Sequence, residues 1–457
     1  MFLLAASAAA VWTLGDSGWL AALIVSIVVV PVLVYLLSHD FTVTIVAMIV
    51  ATVTEHYALE IGGLRARPEH ISALLMCATI PWWWGKVKDQ PLWIRADRFL
   101  LLYIAMNLFS SAFESVAPGQ TLKWALQQSL AILPYFFLRI LLPDVQRFRK
   151  ALDIFVLIGV LESGYALLCF FSNQLFGSEF GMAVEQYGSI PGTYGTRAEA
   201  NLLGSTSAAC MLLLLTLYFR ERKKKFLVGA AITFAATAIS LSRAAVIAAG
   251  MAALILIVYL RRKDLLPTSL LKRAGTVFLV TTLLLSPALI SVYMERFETV
   301  DITDVSADPD TAWRVVTATT ALDNILAHPL LGNGTASFQL LSTYNQSGYA
   351  EREDGAWIGN TEVRVLHDMG LVGLSIFALF LGYLLVQAFK LASCNRSPEL
   401  IGLLIGAVLY SITFQATEGT LLGFCWIHLG FIGCAVSLGH REEAEAAARR
   451  LTTGAQG

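Results

Sequence analysis

The chain reads as an all-α protein, a polytopic membrane helix bundle of about 12–14 transmembrane helices with one long extracytoplasmic loop that contains short helices. Three observations predict this. Of the 457 residues, 56% are hydrophobic and 14% charged, and the mean hydropathy is +0.67, the composition of a chain that lies mostly in lipid. Apolar runs long enough to cross a bilayer follow one another through short connections. One polar stretch of about 75 residues, Met294 to His367, interrupts them, and a connection that long is where chemistry is expected.

In chain order, hydropathy places helices near 2–14, 18–38, 41–58, 70–85, 98–116, 121–142, 151–173, 201–219, 226–241, 243–260, 274–293, 369–391, 399–416 and 419–438, the first of them short. The chain then divides into an N-terminal transmembrane bundle (1–173), central helices with outward Arg-bearing turns (174–293), the extracytoplasmic loop (294–367), C-terminal helices (368–438) and a tail (439–457). No Lys or Arg precedes the first apolar run, so a cleavable signal peptide is not expected. The six cysteines fall in or beside helices without disulfide or zinc spacing, and read as packing residues. Inside the bundle, Glu114, Glu162 and Arg139 are the charged residues at depth, and Arg139 with Glu162 makes a plausible pair.

The loop has internal order. Thr299 to Asp310 is acidic and turn-rich, suited to solvent or sugar hydroxyls. Thr311 to Ala327 has the apolar spacing of an interfacial amphipathic helix, with Asp310 as its N-cap and Arg314 in its first turn, where the positive helix end favours anions. Gly332, Gly334 and Gly348 mark a flexible turn, and Tyr344, Tyr349 and Trp357 suit either sugar stacking or membrane anchoring. The tail, His440 to Arg450, reads as a short charged helix.

Orientation follows from the cations. With the N-terminus cytoplasmic, the connections carrying Lys86 to Arg98, Arg147 to Lys150, Arg220 to Lys225 and Arg261 to Arg273 all fall inside, and that side as a whole collects about 22 of the 32 Lys and Arg, against about nine outside. Trp82 to Trp84 before Lys86 fit an aromatic belt on that face. Both termini are expected inside and the long loop outside. The net charge of −1 says little about soluble partners, and nothing in the sequence suggests nucleic acid.

Eight of the nine outward cations are arginine: Arg65, Arg67, Arg197, Arg243, Arg296, Arg314, Arg352 and Arg364, with Lys123 the ninth. A planar guanidinium binds phosphate oxygens in pairs, which an ammonium cannot do. Arg65 and Arg67 read as solvated loop residues and Arg296 as a helix end. Arg243 sits in the tight hairpin Ser240-Leu-Ser-Arg243 at the membrane edge, and a charge at that depth is usually paired or functional.

Four segments carry a resemblance. Gly192-Thr-Tyr-Gly-Thr-Arg-Ala-Glu-Ala-Asn-Leu-Leu-Gly204 is similar to the glycine-threonine-aromatic entry of the O-antigen polymerase and O-antigen ligase superfamily. Ser242-Arg243-Ala244-Ala245 resembles that family's Ser-Arg hairpin, and Trp313-Arg314 followed by His328-Pro-Leu-Leu-Gly-Asn-Gly334 resembles its loop. Asn360 leading to Gly370-Leu-Val-Gly-Leu374 resembles the loop exit. Together they span about residues 190 to 380.

The resemblance implies a bacterial inner-membrane enzyme that moves a glycan from an undecaprenyl-diphosphate carrier to a sugar hydroxyl outside the cytoplasm. Such enzymes use no cofactor, neither nucleotide sugar nor metal, and invert the anomeric carbon. The expected partners are the carrier-linked donor, a glycan or lipid-linked acceptor, the bilayer and a chain-length regulator. Arg197, Arg243 and Arg314 would hold the diphosphate, since preorganised guanidinium groups stabilise the charge that accumulates on a departing lipid diphosphate. The acceptor hydroxyl also needs a base.

Here the chain departs from the ligase pattern. Gly359 stands where ligases carry a loop-exit histidine, while Asn360 is kept. The substitutes are Glu362 and His367, with Asn360 orienting the acceptor. His367 lies about 12 Å further along a helix, too far to replace that histidine atom for atom. Beside the catalytic readings stand bland ones: His367 as a helix-start residue next to Asp368, Glu362 solvated or paired with Arg364, His328 fixing a turn before Pro329. Glu199 and Asn201 are further candidates, Glu199 as an alternative base. The missing histidine shifts weight toward a repeat-unit polymerase for O-antigen, capsule or exopolysaccharide. The alternatives are a ligase acting on lipid A core or a protein and, more distantly, a transporter, which should show repeated halves and helices broken at the midplane.

Overall fold

The computed structural model describes residues 30–61, 64–85, 93–183, 192–298, 309–341, 358–395 and 398–454. Among these residues fourteen helices form one bundle: α1 (Val30–His39), α2 (Phe41–Val53), α3 (Pro68–Gly85), α4 (Arg95–Phe113), α5 (Pro118–Leu141), α6 (Val145–Phe176), α7 (Ala200–Glu221), α8 (Lys224–Ile239), α9 (Arg243–Arg262), α10 (Thr268–Glu298), α11 (Pro309–Ala327), α12 (Thr361–Asn395), α13 (Pro398–Thr413) and α14 (Gly423–Gly454). A small antiparallel hairpin, β1 (Leu59–Ile61) with β2 (Leu64–Ala66), and a 3-10 turn at Ser337–Leu340 complete the described elements. The protein is a multi-pass, all-α membrane bundle. Six helices, α6, α7, α9, α10, α12 and α14, are long and apolar enough to cross a membrane among the described residues, and α1 with α2, bent by 118°, makes a seventh if the pair is one span. The other helices are shorter or more polar and pack among these. In α4 and α5, for example, Asn107 and Gln128 satisfy each other at 3.0 Å inside the bundle.

Helix α7 occupies the centre. Its most apolar 18-residue window is wholly buried, and the small residues Gly204, Ser205, Ser207, Ala208 and Ala209 let its neighbours approach closely. Lipid cannot satisfy polar groups, so buried ones pair within the protein: His428 Nε2 donates to the Leu403 carbonyl at 2.8 Å, and Trp83 Nε1 to the Leu37 carbonyl at 2.9 Å. Trp82 and Trp84, on either side, are exposed. Asp40, Asp144, Ser242 and Asn360 each cap the helix that follows by accepting a backbone N–H.

The two ends of the bundle differ in chemistry. At one end Arg220 pairs with Glu399, Arg149 lies 3.8 Å from the same carboxylate, Lys150 donates to Thr42 Oγ1 at 2.7 Å and Arg441 to the Pro143 carbonyl at 2.8 Å. This joins the starts of α2, α6 and α13 to the C-terminal parts of α7 and α14. The opposite end holds the turn after α2, the approach to α7, the start of α12 and the link from α13 to α14.

Several expectations change. Helix α2 stops at Val53 and gives way to a turn and the hairpin instead of running to 58. Helix α11 begins at Pro309, so Asp310 is inside it and Arg314 stands in its second turn. The expected Arg139–Glu162 pair does not form: Arg139 lies 3.5 Å from Asp97 and donates to the Gly433 carbonyl, while Glu162 serves Arg197. The segments 2–14 and 18–29, and Thr299 to Asp308, Tyr344, Gly348, Tyr349, Arg352 and Trp357, lie outside the described residues.

The largest difference concerns α12, which begins eight residues before the expected 369 and is broken at Gly370 (φ 65°, ψ −168°). The loop segment after α11 fills the break. Leu371 and Val372 donate to the Pro329 and Leu330 carbonyls at 2.9 and 3.2 Å, while Asn333 and Gly334 donate to the His367 and Asp368 carbonyls at 2.9 Å each. Backbone groups freed inside a spanning helix are thus satisfied by protein, the condition for non-helical chain at that depth. A Cβ at Gly370 would collide with Leu330 backbone, and its φ is one that L side chains rarely adopt.

Candidate functional site

The arginines expected on the outer face separate into different environments. Arg197 is 2% exposed and its guanidinium is fully engaged: Nε and Nη2 grip both oxygens of Glu162, Nη2 at 2.9 Å, Nη1 donates to Glu55 Oε1 at 3.0 Å and to the Thr52 carbonyl at 3.2 Å, and the Phe424 ring lies 5.0 Å beneath. Burial works against this charge, but Glu162 and Glu55 outweigh it and hold Arg197 above the ordinary arginine pKa. Burial pushes the Glu55 carboxyl up, against the pull of Arg197. The expectation that Arg197 holds diphosphate is therefore corrected: its fork ties α2, α6 and the approach to α7 together.

Arg243 begins α9 and is half-buried. Its turn is pinned to the 192–204 segment, where Thr193 donates to the Ile239 carbonyl at 3.3 Å and a Cβ on Gly204 would come within 2.6 Å of Ser240 Oγ. Arg314 projects from α11 and donates through Nη1 to the Ala416 carbonyl. Glu199, exposed, receives a hydrogen bond from Thr417 Oγ1 at 3.5 Å. Asn201, half-buried in the first turn of α7, gives its carbonyl to Ser205 Oγ at 2.8 Å.

At the loop exit, Asn360 Oδ1 caps α12 by accepting from Val363 N at 2.9 Å, and its Nδ2 donates to Gln415 Oε1 at 2.8 Å. Glu362 is exposed and accepts from Gln415 Nε2 at 3.0 and 2.9 Å. The anticipated Glu362–Arg364 pair is absent, because Arg364 turns inward. It meets Asp368 at 3.0 Å, Glu418 at 3.1 Å and Thr420 Oγ1 at 2.6 Å, at 2% exposure. His367 is fully buried, with Nδ1 3.0 Å from Asp368 Oδ1 and its ring edge-on to Phe338. Its position corrects the reading of His367 as a base in contact with an acceptor: it lies under the site, against the break in α12. His328 is exposed and closes the turn after α11, its carbonyl accepting from Gly332 N at 3.1 Å.

The feature missed in the sequence is the link between α13 and α14, Phe414 to Leu422. Hydropathy ran helices to 416 and from 419, which hid it. Yet Arg314 reaches its Ala416, Asn360 and Glu362 its Gln415, Glu199 its Thr417, Arg364 its Glu418 and Thr420, and Arg67 its Leu421 carbonyl at 3.5 Å. The available signal was composition: Gln415-Ala-Thr-Glu-Gly-Thr420 is polar between two apolar runs. The result is a polar surface where a cation (Arg314), an exposed carboxylate (Glu362) and amide groups (Asn360, Gln415) meet at the end of the bundle opposite the Arg149–Arg220 cluster. Such a surface can hold an anionic leaving group and accept a proton. Among the described residues no group of His, Cys, Asp and Glu has the geometry of a metal site.

No curated protein matches the chain. Residues 228–381, roughly a third of its length, match the family described as O-antigen ligase. This segment carries Arg243, Arg314, Asn360 and Glu362, and over it the chain is similar to that family.

Proposed function

We propose that the protein transfers oligosaccharide repeat units from an undecaprenyl-diphosphate carrier to a sugar hydroxyl at the extracytoplasmic face of the bacterial inner membrane, building O-antigen, capsule or exopolysaccharide. The observation that carries this reading is the convergence of Arg314, Asn360, Glu362 and Glu199 on residues 415–417. The segregation of the Arg149–Arg220–Arg441 end from this one supports the outward placement.

In this mechanism the acceptor hydroxyl oxygen attacks the anomeric carbon as the bond from that carbon to the phosphate oxygen breaks. The electron pair leaves with the lipid diphosphate, whose charge Arg314 and Arg243 stabilise. Glu362 takes the hydroxyl proton, being the exposed carboxylate of the site, and Asn360 orients the acceptor. Attack opposite the leaving group inverts the carbon, and the guanidinium groups supply the positive charge in place of a metal. His367, through Asp368 and Arg364, keeps the floor of the site in place.

Gly359 at the position of the ligase histidine favours a polymerase. The family description favours the second reading, a ligase acting on lipid A core or a protein. Purified enzyme given only the lipid-diphosphate donor decides: a ladder of longer glycans supports the polymerase, transfer only on adding lipid A core supports the ligase, and neither product overturns the reading.

A further inference from the structure

We infer that Gln415 is a positioning residue of the transfer site: it fixes the rotamer and hydrogen-bonding state of the Glu362 carboxylate and couples it to Asn360, so that the α13–α14 link belongs to the transfer machinery. This rests on Glu362 being the base, as proposed above.

The geometry allows Gln415 one orientation. A carboxylate only accepts, so the amide nitrogen must face Glu362, at 3.0 and 2.9 Å from its two oxygens, and that nitrogen also reaches the Ser411 carbonyl at 3.1 Å. The amide oxygen then faces Asn360 Nδ2 at 2.8 Å. Asn360 is fixed in turn, because its own oxygen caps α12 through Val363 N. Gln415 is the residue that touches both candidate side chains, and it lies outside the matched residues 228–381. A second contact holds its segment in register: Arg314 grips the adjoining Ala416 carbonyl, so the leaving-group cation and the base are referred to the same two residues.

A carboxylate on a flexible stem loses rate when it must be ordered at each turnover. A donor that holds it in the productive rotamer lowers that cost, and a misplacement of about 1 Å is already felt. Gln415 is exposed, so its replacement leaves the packed bundle intact.

The test is a double-mutant cycle on purified enzyme with a lipid-diphosphate-linked repeat unit, reading kcat and KM for the donor separately. Gln415→Ala in the native background should lower kcat about tenfold with donor KM within about twofold. Gln415→Glu, which keeps the acceptor toward Asn360 but sets a like charge against Glu362, should lose more. In a Glu362→Gln background, Gln415→Ala should cost less than about twofold more, since its effect runs through Glu362. Equal losses in both backgrounds, or no loss in the native one, overturn the inference and leave the base assignment standing. Full activity of Glu362→Gln alone sinks the base assignment and this inference with it. Thermal stability of each variant, expected to match the parent, separates a folding loss from either result.

Discussion

At the scale of single residues, the site sorts its arginines by what they already hold. Arg197 and Arg364 are spent on buried carboxylates, whereas Arg314, half-buried, contacts the Ala416 carbonyl among the described residues. Arg314→Ala should therefore lose the transition-state stabilisation of a charge-assisted contact, on the order of 2–4 kcal/mol or roughly 30- to 1,000-fold in rate. Arg314→Lys should rescue poorly, because one ammonium cannot reproduce the fork. Arg243→Ala should behave alike. Steady-state rates at matched protein levels check both, and near-normal polymer from either variant removes that arginine from the site. Arg197→Ala should instead lose folded protein, by about 3–5 kcal/mol, as the buried Glu162 carboxylate would be left without its cation and Glu55 without its hydrogen-bond donor. Glu55 gives a pH signature. Its pKa is raised in the folded state, so its contribution to stability is present at low pH and lost as pH climbs through the raised value. Melting temperature should fall between about pH 4.5 and about pH 8, and Glu55→Gln should flatten that slope, which differential scanning fluorimetry across pH measures.

At the scale of elements, the break in α12 is the device that positions the candidate site. Helix α12 reaches the surface with Glu362 exposed and Arg364 turned inward, then opens at Gly370 to receive residues 329–334. Gly370→Ala puts a Cβ against Leu330 backbone at a φ of 65°, and should destabilise by several kcal/mol or prevent folding. Gly382→Ala, where a Cβ meets nothing within 4 Å, should be near neutral and is the control in a detergent thermal-melt comparison. Part of this was legible. The sequence His328-Pro-Leu-Leu-Gly-Asn-Gly334 announced a turn, and apolar spacing located α11 to within two residues. The α13–α14 link was not legible, because averaging over apolar neighbours erased its polar residues. Nor was the inward turn of Arg364, since its partner Glu418 lies more than fifty residues away and nothing local pairs them.

At the scale of the whole molecule, composition and cation placement were sufficient for the membrane bundle, because both follow from the solvent that lipid provides. They did not give the pairing of charges at depth. Arg139 and Glu162 have separate partners, and contacts between distant helices leave no periodic trace in the chain. The expected sidedness makes its own prediction: a cysteine placed at Ser306 should react with an impermeant maleimide in intact spheroplasts, while one placed at Arg441 should not. Reversed labelling would invert the topology.

The central claim, that the surface joining Arg314, Asn360, Glu362 and Gln415 transfers glycan from a lipid diphosphate, is tested most directly by the single-turnover release of undecaprenyl diphosphate. The measurement uses purified protein in nanodiscs, a synthetic lipid-diphosphate-linked repeat unit and a matching acceptor. The native chain should release lipid diphosphate in step with glycan elongation, and Glu362→Gln should slow both by roughly 10²- to 10⁴-fold, the contribution of a positioned base. Release at the native rate from Glu362→Gln, or no release from the native chain with donor and acceptor both bound, would contradict it.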